Sequence, residues 1–204
     1  MAGRRSDEHA RATRARILRE SLELASHVGF DGITIGGLAK QLDMSKAGVL
    51  GHFASKEELQ LAVHAEAAAT FKREVVDRGR EHPPGIQRLL AFCSLWADFI
   101  ESPPWSGGCI LTAASFEFDA QPGPVAARTR EGMVSWRSAI QRQAQIAIDD
   151  GDLPREHDAA QVAFVIVAMV TGTIQAIQTH RDPTACDRLR TALAVQFGRP
   201  IATA

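Results

Sequence analysis

The sequence lacks the short motifs by which many enzyme classes are recognised. It has no GxGxxG or P-loop glycine pattern, no HExxH and no nucleophile elbow. Its three cysteines, Cys93, Cys109 and Cys186, are far apart and show no CxxC or Cys/His spacing of the kind that binds a metal. The sequence therefore predicts a protein that is not an enzyme and that needs no metal or other cofactor.

Signals for export or membrane insertion are also missing. Residues 1–20 are basic but contain no apolar core of a signal peptide. The longest apolar run, residues 162–170, is less than half of the roughly 20 residues that a membrane-spanning helix needs. An odd number of widely spaced cysteines favours free thiols over a disulfide framework. We therefore expect a soluble cytoplasmic protein with no membrane partner.

Strand patterns are absent, whereas helical periodicity runs through most of the chain. No stretch alternates apolar and polar residues over the length of a strand, and no hairpin signal appears. The apolar spacing predicts an all-α fold of about nine helices. The N-terminal domain, residues 1–55, would contain three helices, and residues 56–204 would form a larger helical domain. The predicted helices lie within residues 11–28, 34–42, 45–53, 56–78, 85–100, 109–118, 125–149, 158–180 and 183–197.

Positive charge is concentrated at the N-terminus, although the formal net charge of the whole chain is only -1. A chain with this balance can bind nucleic acid only through a local cluster of basic residues. Only two acidic residues oppose the cluster before residue 20. The cluster is either a solvated tail or, because it precedes the motif described next, a contact to phosphates. Its members are Arg4, Arg5, Arg11, Arg14, Arg16 and Arg19.

Residues 34–56 have the pattern of a helix-turn-helix. Thr34 is placed to cap a first short helix, and Ser45 is placed to cap a second. Asp43 and Met44 form the turn between them. The S-x-x-E sequence that starts at Ser55 is a capping box, which predicts that a fourth helix begins at Lys56.

The second helix of this motif has a smooth outer face. Val49 and Phe53 are its only strongly apolar residues with an inward position, whereas its other face carries small, polar or basic residues. A helix of this size fits the DNA major groove, which is roughly 12 Å wide. The motif therefore predicts a recognition helix that reads DNA.

The chain resembles the tetracycline-repressor (TetR) family of bacterial regulators over roughly residues 11–65. The resemblance rests on G-F-D-G-I-T-I-G-G-L-A at 29–39, M-S-K-A-G-V-L-G-H-F at 44–53 and S-K-E-E-L at 55–59. The C-terminal two-thirds resemble the family in the layout of the helices. In addition, G-G-C-I-L at 107–111 and E-F-D-A-Q-P-G-P-V at 117–125 resemble a segment of one subset of the family.

The resemblance implies a homodimer that binds a palindromic DNA operator and is released when a small molecule enters the C-terminal domain. Because no flexible Gly/Ser linker follows the helix-turn-helix, we expect the fourth helix to transmit the change. Carried over residue by residue, Thr34, Lys46, His52 and Lys56 would hold DNA phosphates. By the same comparison Ser45, Ala47 and Gly48 would lie near base edges.

Several of these residues also have a structural interpretation. Lys46 and Lys56 could be ordinary surface lysines, and His52 could pack in the core. Gly51 departs from the family pattern because it supplies no side chain for a phosphate or base contact. It keeps open a second function, that of a helical small-molecule-binding or scaffolding dimer with weakened DNA readout.

Bulky apolar side chains in the C-terminal domain suit either a packed core or a pocket for an apolar effector. The candidate pocket residues are Phe92, Trp96, Thr112, Phe116, Met133, Trp136 and Phe164. The last two predicted helices bury more apolar surface than one protomer easily hides, so they also predict an isologous dimer contact. The candidate interface residues are Val167, Val170, Ile174, Leu189 and Leu193.

Overall fold

The computed structural model describes residues 2–201, with side chains from residue 7 onward. No strand occurs in this part of the chain, and the all-α prediction is confirmed. The helices are α1 (Ala2–Val28), α2 (Ile35–Gln41), α3 (Lys46–Leu50), α4 (Lys56–Phe71), α5 (Arg78–Arg80), α6 (Ile86–Glu101), α7 (Ile110–Glu117), α8 (Pro124–Asp149), α9 (Ala159–Gln175) and α10 (Ala185–Phe197). π-helical segments, Lys72–Asp77 and Ala176–His180, extend α4 and α9.

The first helix is longer than its apolar periodicity predicts. It begins at Ala2, whereas the apolar pattern begins only after residue 10. The added turns contain alanine, arginine and glutamate, which favour helix without needing a buried face. The helix ends where expected, because Gly29 adopts a φ of 72° that favours glycine and stops the helical ladder.

Local capping bonds fix the helix-turn-helix as predicted. The Thr34 hydroxyl accepts a hydrogen bond from the amide of Gly37 at 3.0 Å, and the Ser45 hydroxyl accepts one from the amide of Gly48 at 2.9 Å. The predicted turn contains Asp43, whose φ of 52° is left-handed. α3 ends at Leu50, earlier than the predicted end at residue 53.

The core of this motif consists of the side chains that the sequence placed inward. Leu38, Val49 and Phe53 are fully buried. Two arginines of the basic cluster pack against the motif. Arg16 donates to the carbonyl of Leu42, at the end of α2, at 3.1 Å, and the Arg14 guanidinium lies 4.5 Å from the centre of the Phe53 ring.

These contacts give Arg14 and Arg16 roles within the protomer that neither interpretation of the basic cluster, as a solvated tail or as a contact to phosphates, included. Arg14 stacks on an aromatic ring, which is a cation–π contact, and Arg16 satisfies a carbonyl that the end of a helix leaves free. Arg11 donates to the carbonyl of Asp7 within its own helix. The side chains of Arg4 and Arg5 lie outside the described residues.

The capping box before α4 also forms. The Ser55 hydroxyl accepts from the amide of Glu58 at 3.0 Å, and the Glu58 carboxylate accepts from the amide of Ala54 at 2.8 Å. The predicted helix then continues, but its last six residues before Arg78, Lys72–Asp77, are π-helical. A π-turn brings residues five apart together, and the Lys72 ammonium accordingly donates to the Asp77 carboxylate at 2.7 Å.

The chain forms two compact units. One unit extends to Ala68 and also takes in Trp105–Arg130, and the other comprises Ala69–Pro104 and the residues from Glu131 onward. Residues 105–130 therefore belong to the unit that contains the helix-turn-helix. The separation into functional domains at residue 56 stays a prediction.

α9 is the most apolar helix of the described chain. With its π-helical extension it spans Ala159–His180, and by length and composition alone such a helix could cross a membrane. Only 28% of its most apolar 18-residue window is buried within the protomer. Within the second unit it packs against α6 and α10. Its remaining apolar surface is left uncovered by the protomer.

Candidate functional site

The outer face of α3 is exposed as a recognition helix requires. Ser45, Lys46 and Ala47 are exposed, and Gly48 is half-buried. Leu50 adds an apolar group to this face, with 42% of its surface accessible. Such a face can contact thymine methyl groups but offers few long side chains for bidentate hydrogen bonds to bases.

Lys46 extends from α3 across the beginning of α2. A Cβ atom added to Gly36 would lie 3.0 Å from the Lys46 Cε and 3.4 Å from its Nζ. The ammonium is therefore beside the first turn of α2, where backbone N–H groups point outward and the helix dipole is positive. A phosphate placed here would meet both the ammonium and these N–H groups.

The hydroxyl groups of Thr34 and Ser45 accept the capping hydrogen bonds described above. A hydroxyl that accepts one hydrogen bond can still donate its own proton. Both caps can therefore donate to a phosphate or a base without losing their structural bond. His52 lies just beyond α3 and is half-buried, which leaves part of its ring accessible.

Lys56 has a partner within the protomer. Its Nζ donates to the carbonyl of Asp31 at 2.8 Å and lies 3.8 Å from the Asp31 carboxylate. This contact holds the turn between α1 and α2 against the start of α4. The structure therefore gives Lys56 a structural role within the protomer, whereas the sequence predicted a phosphate contact or an ordinary surface lysine.

Residues 105–117 contribute contacts to α1 that the sequence did not indicate as functional. The Ser106 hydroxyl and amide donate to the Glu23 carboxylate, which lowers the pKa of that group. The Gly107 amide donates to the Ser26 hydroxyl at 3.0 Å. Glu117 accepts hydrogen bonds from the turn that follows α1. The sequence indicated only weakly that Glu117 has a hydrogen-bond partner, since a carboxylate at the end of a helix is usually solvated.

Three of the predicted pocket residues form one aromatic cluster. Trp136 meets Phe92, Trp96 and Phe71 edge to face, with ring centroids 5.0, 5.4 and 5.2 Å apart. Phe71 also contacts Phe99 at 5.4 Å. The indole N–H of Trp136 is buried without a hydrogen-bond partner in the described chain. These rings pack as a core.

The other predicted pocket residues do not join this cluster in the described contacts. Phe116 and Phe164 are 61% and 59% exposed. Thr112 is buried, and its hydroxyl donates to the sulfur of Cys109 at 3.4 Å. Met133 is half-buried.

A separate surface cavity of about 470 Å³ lies along α6 in the second unit. Its walls include Leu90 and Leu95 of α6 together with Arg78, His82 and Ile201. None of the predicted pocket residues lines it.

The predicted dimer residues divide into two groups. Val170, Leu189 and Leu193 are buried within the protomer and therefore have no surface to offer a partner, in contrast to the prediction. Periodicity placed them on the apolar side of their helices, but that side faces the protomer's own core. Val167 and Ile174 remain half-buried and keep surface available.

Two family models together match most of the chain. The model described as "Bacterial regulatory proteins, tetR family" matches residues 17–63. The model described as "Tetracyclin repressor-like, C-terminal domain" matches residues 85–193, which is more than half of the chain. The chain belongs to the TetR family. At the family level it is a ligand-responsive, DNA-binding transcriptional regulator, and members of this family are generally not enzymes.

Several solved structures have the same fold as this chain. A TetR transcriptional regulator from Chloroflexus aurantiacus is 25% identical, with a TM-score of 0.84 over 97% of this chain and 100% of that one. A putative regulator from Saccharomonospora viridis is 21% identical, with a TM-score of 0.73 over 90% of this chain and 94% of that one. AibR is 20% identical, with a TM-score of 0.71 over 90% of this chain and 99% of that one. No curated protein matches the sequence.

Proposed function

We propose that this TetR regulator is a cytoplasmic repressor that binds a palindromic operator as a homodimer and is released by an apolar small molecule. In this proposal residues 1–55 bind DNA, and residues 56–204 bind the effector and form the dimer. The observation that carries the DNA-binding part is the position of Lys46 on the exposed face of α3, beside the positive end of α2. Ser45, Ala47 and Gly48 would approach base edges, and Thr34, Lys46 and His52 would contact phosphates.

A salt titration of operator binding tests this assignment. Each phosphate contact made by a lysine contributes about one to the slope of the logarithm of affinity against the logarithm of salt concentration. For Lys46→Ala we expect weaker binding and a slope lower by about two for a dimer. The assay would use a duplex selected from random DNA by the wild-type protein. An unchanged slope would remove Lys46 from the phosphate-binding surface.

Lys56→Ala distinguishes the two roles of that residue in the same assay. Loss of the bond to the Asp31 carbonyl would lower thermal stability and leave the salt slope unchanged. A lower slope would instead support the phosphate contact that the family resemblance implies. Measuring both quantities for both lysine variants separates folding from DNA binding.

The uncovered apolar surface of α9 and α10 is the proposed dimer surface. Phe164 on α9 is 59% exposed and Val195 on α10 is 79% exposed, and the half-buried Val167 and Ile174 also lie on α9. Covering such a surface with the same surface of a second copy gives an isologous contact and removes apolar groups from water. A scaffolding dimer without DNA binding would use the same surface, so dimerisation alone does not separate the two functions.

Phe164→Arg is expected to shift the protein from dimer to monomer. The arginine places an unpaired charge within the proposed apolar contact. We expect it to weaken the dimer by several kcal/mol, as much as the loss of an interface hot spot. Sedimentation velocity over a range of concentrations would measure the change. Val134→Arg is the matched control, since Val134 on α8 is another exposed large apolar residue, at 50%. A dimer that survives Phe164→Arg unchanged would place the interface elsewhere.

The effector is proposed to be an apolar small molecule that binds within residues 56–204. Because the aromatic rings around Trp136 pack against one another, the described cluster has no room for such a molecule. Related structures contain isovaleryl coenzyme A with operator DNA in AibR and choline in the Saccharomonospora viridis protein. These relatives support the proposal that the effector is a small molecule.

A further inference from the structure

The turn between α1 and α2 is held by side chains from two other helices. Glu117, the last residue of α7, accepts hydrogen bonds from the amides of Phe30 at 2.9 Å and Asp31 at 2.7 Å. Gln60 of α4 donates to the carbonyl of Phe30 at 2.8 Å, and Lys56 donates to the carbonyl of Asp31 at the same distance. The backbone amides of Phe30 and Asp31 are therefore bound by α7, and the carbonyls of the same two residues are bound by α4.

Gly29 gives the carboxylate room to reach this turn. A Cβ atom at that position would lie 2.7 Å from the Glu117 Oε2 and 3.0 Å from its Cδ. The φ of 72° at Gly29 also disfavours any residue with a side chain. The glycine thus ends α1 and lets the end of α7 approach the backbone.

The contact between α7 and the turn has an apolar part as well. The ring of Phe118, next to Glu117, lies 5.8 Å from that of Phe30, which is almost fully buried. The Glu117 carbonyl accepts a hydrogen bond from the side chain of Gln121 at 2.9 Å, which fixes the end of α7. A carboxylate that accepts from two backbone amides makes stronger hydrogen bonds than a neutral group.

We propose that Glu117 is a positioning residue that sets the orientation of the helix-turn-helix relative to α7, and with it the half-site spacing that the dimer accepts. This inference rests on the proposed function, since it needs two protomers on two half-sites. The turn leads directly into α2 and α3, so a displacement of the turn moves the recognition helix. In a dimer, that displacement changes the distance between the two recognition helices, which must match successive major grooves.

Spacing preference is the property that tests this role. The probe is a duplex selected from random DNA by the wild-type protein, together with the same duplex carrying one extra base pair between its half-sites. E117Q keeps the size of the side chain but replaces one accepting oxygen by an N–H₂ group that opposes a backbone N–H. Asp119→Asn is the matched control, because Asp119 is an exposed carboxylate two residues further along.

The wild type and Asp119→Asn are expected to prefer the selected duplex strongly. For E117Q we expect the preference to fall by at least about fivefold, as the loss of a charge-assisted bond implies, while binding to a single half-site persists. Glu117→Asp retains the charge on a shorter side chain and should restore part of the preference. It also carries the test if E117Q fails to fold.

An unchanged spacing preference in both Glu117 variants, even with a lower melting temperature, would reduce Glu117 to a structural contact and overturn the inference. Failure of the wild type to select any duplex would overturn the proposed function and this inference with it. A loss of preference in Asp119→Asn equal to that in E117Q would also overturn the inference, since it would mean that any change of charge near α7 has the same effect.

Discussion

Replacement of Ala47 by glutamate is expected to abolish operator binding while leaving the protein folded. Ala47 is exposed on α3, so a longer side chain meets no neighbour in the protomer. A carboxylate in the first turn of a helix interacts favourably with the helix dipole, which keeps or slightly raises stability. At the DNA surface the same charge opposes phosphates, and like-charge contacts at an interface cost several kcal/mol.

We expect the affinity of the Ala47→Glu variant for the selected duplex to fall by about a hundredfold or more. Fluorescence anisotropy at fixed salt would measure it, with thermal unfolding recorded in parallel. Ala47→Gln is the control, because it has nearly the same shape without the charge. If Ala47→Glu bound as tightly as Ala47→Gln, the exposed face of α3 would not be the DNA-binding surface.

Trp136→Ala is expected to lower the free energy of unfolding by about 3–5 kcal/mol, the usual cost of deleting a large buried aromatic side chain. Its ring is in contact with Phe92, Trp96 and Phe71, so deletion leaves a cavity that these rings cannot fill. Chemical denaturation would give the value.

Two further variants calibrate this result. Trp136→Phe retains a ring and removes an unpaired buried N–H, so it should cost less than about 1.5 kcal/mol. Phe116→Ala, at a mostly exposed position, should stay within about 0.5 kcal/mol of the wild type. A loss below about 1 kcal/mol for Trp136→Ala would mean that the cluster surrounds open space, contrary to the observed packing.

The helix-turn-helix could be predicted from sequence because its determinants are local. The Thr34, Ser45 and Ser55 caps each bind an amide three residues away, so the pattern and the bond lie in the same short stretch. The inward positions of Leu38, Val49 and Phe53 follow from helical spacing within that stretch. Gly29 likewise ends α1 through its own backbone conformation.

The predictions for the C-terminal domain were less complete because helical spacing identifies an apolar face without saying what covers it. Val170, Leu189 and Leu193 were assigned to a partner, but the protomer buries them itself. Phe164 was assigned to a pocket, but it is exposed. Trp96 and Trp136 do lie together, in a packed cluster whose formation depends on how separate helices meet.

The sequence by itself determined an all-α TetR regulator with a capped recognition helix, since periodicity and capping act between neighbouring residues. The tertiary structure alone decided the roles of Lys56, Arg16 and Glu117. Their partners lie 25, 26 and up to 87 residues away along the chain, and no local pattern encodes such pairs. The contact between Glu117 and the turn exists only because folding brings the end of α7 to Gly29, where the absence of a side chain lets a carboxylate bind two backbone amides.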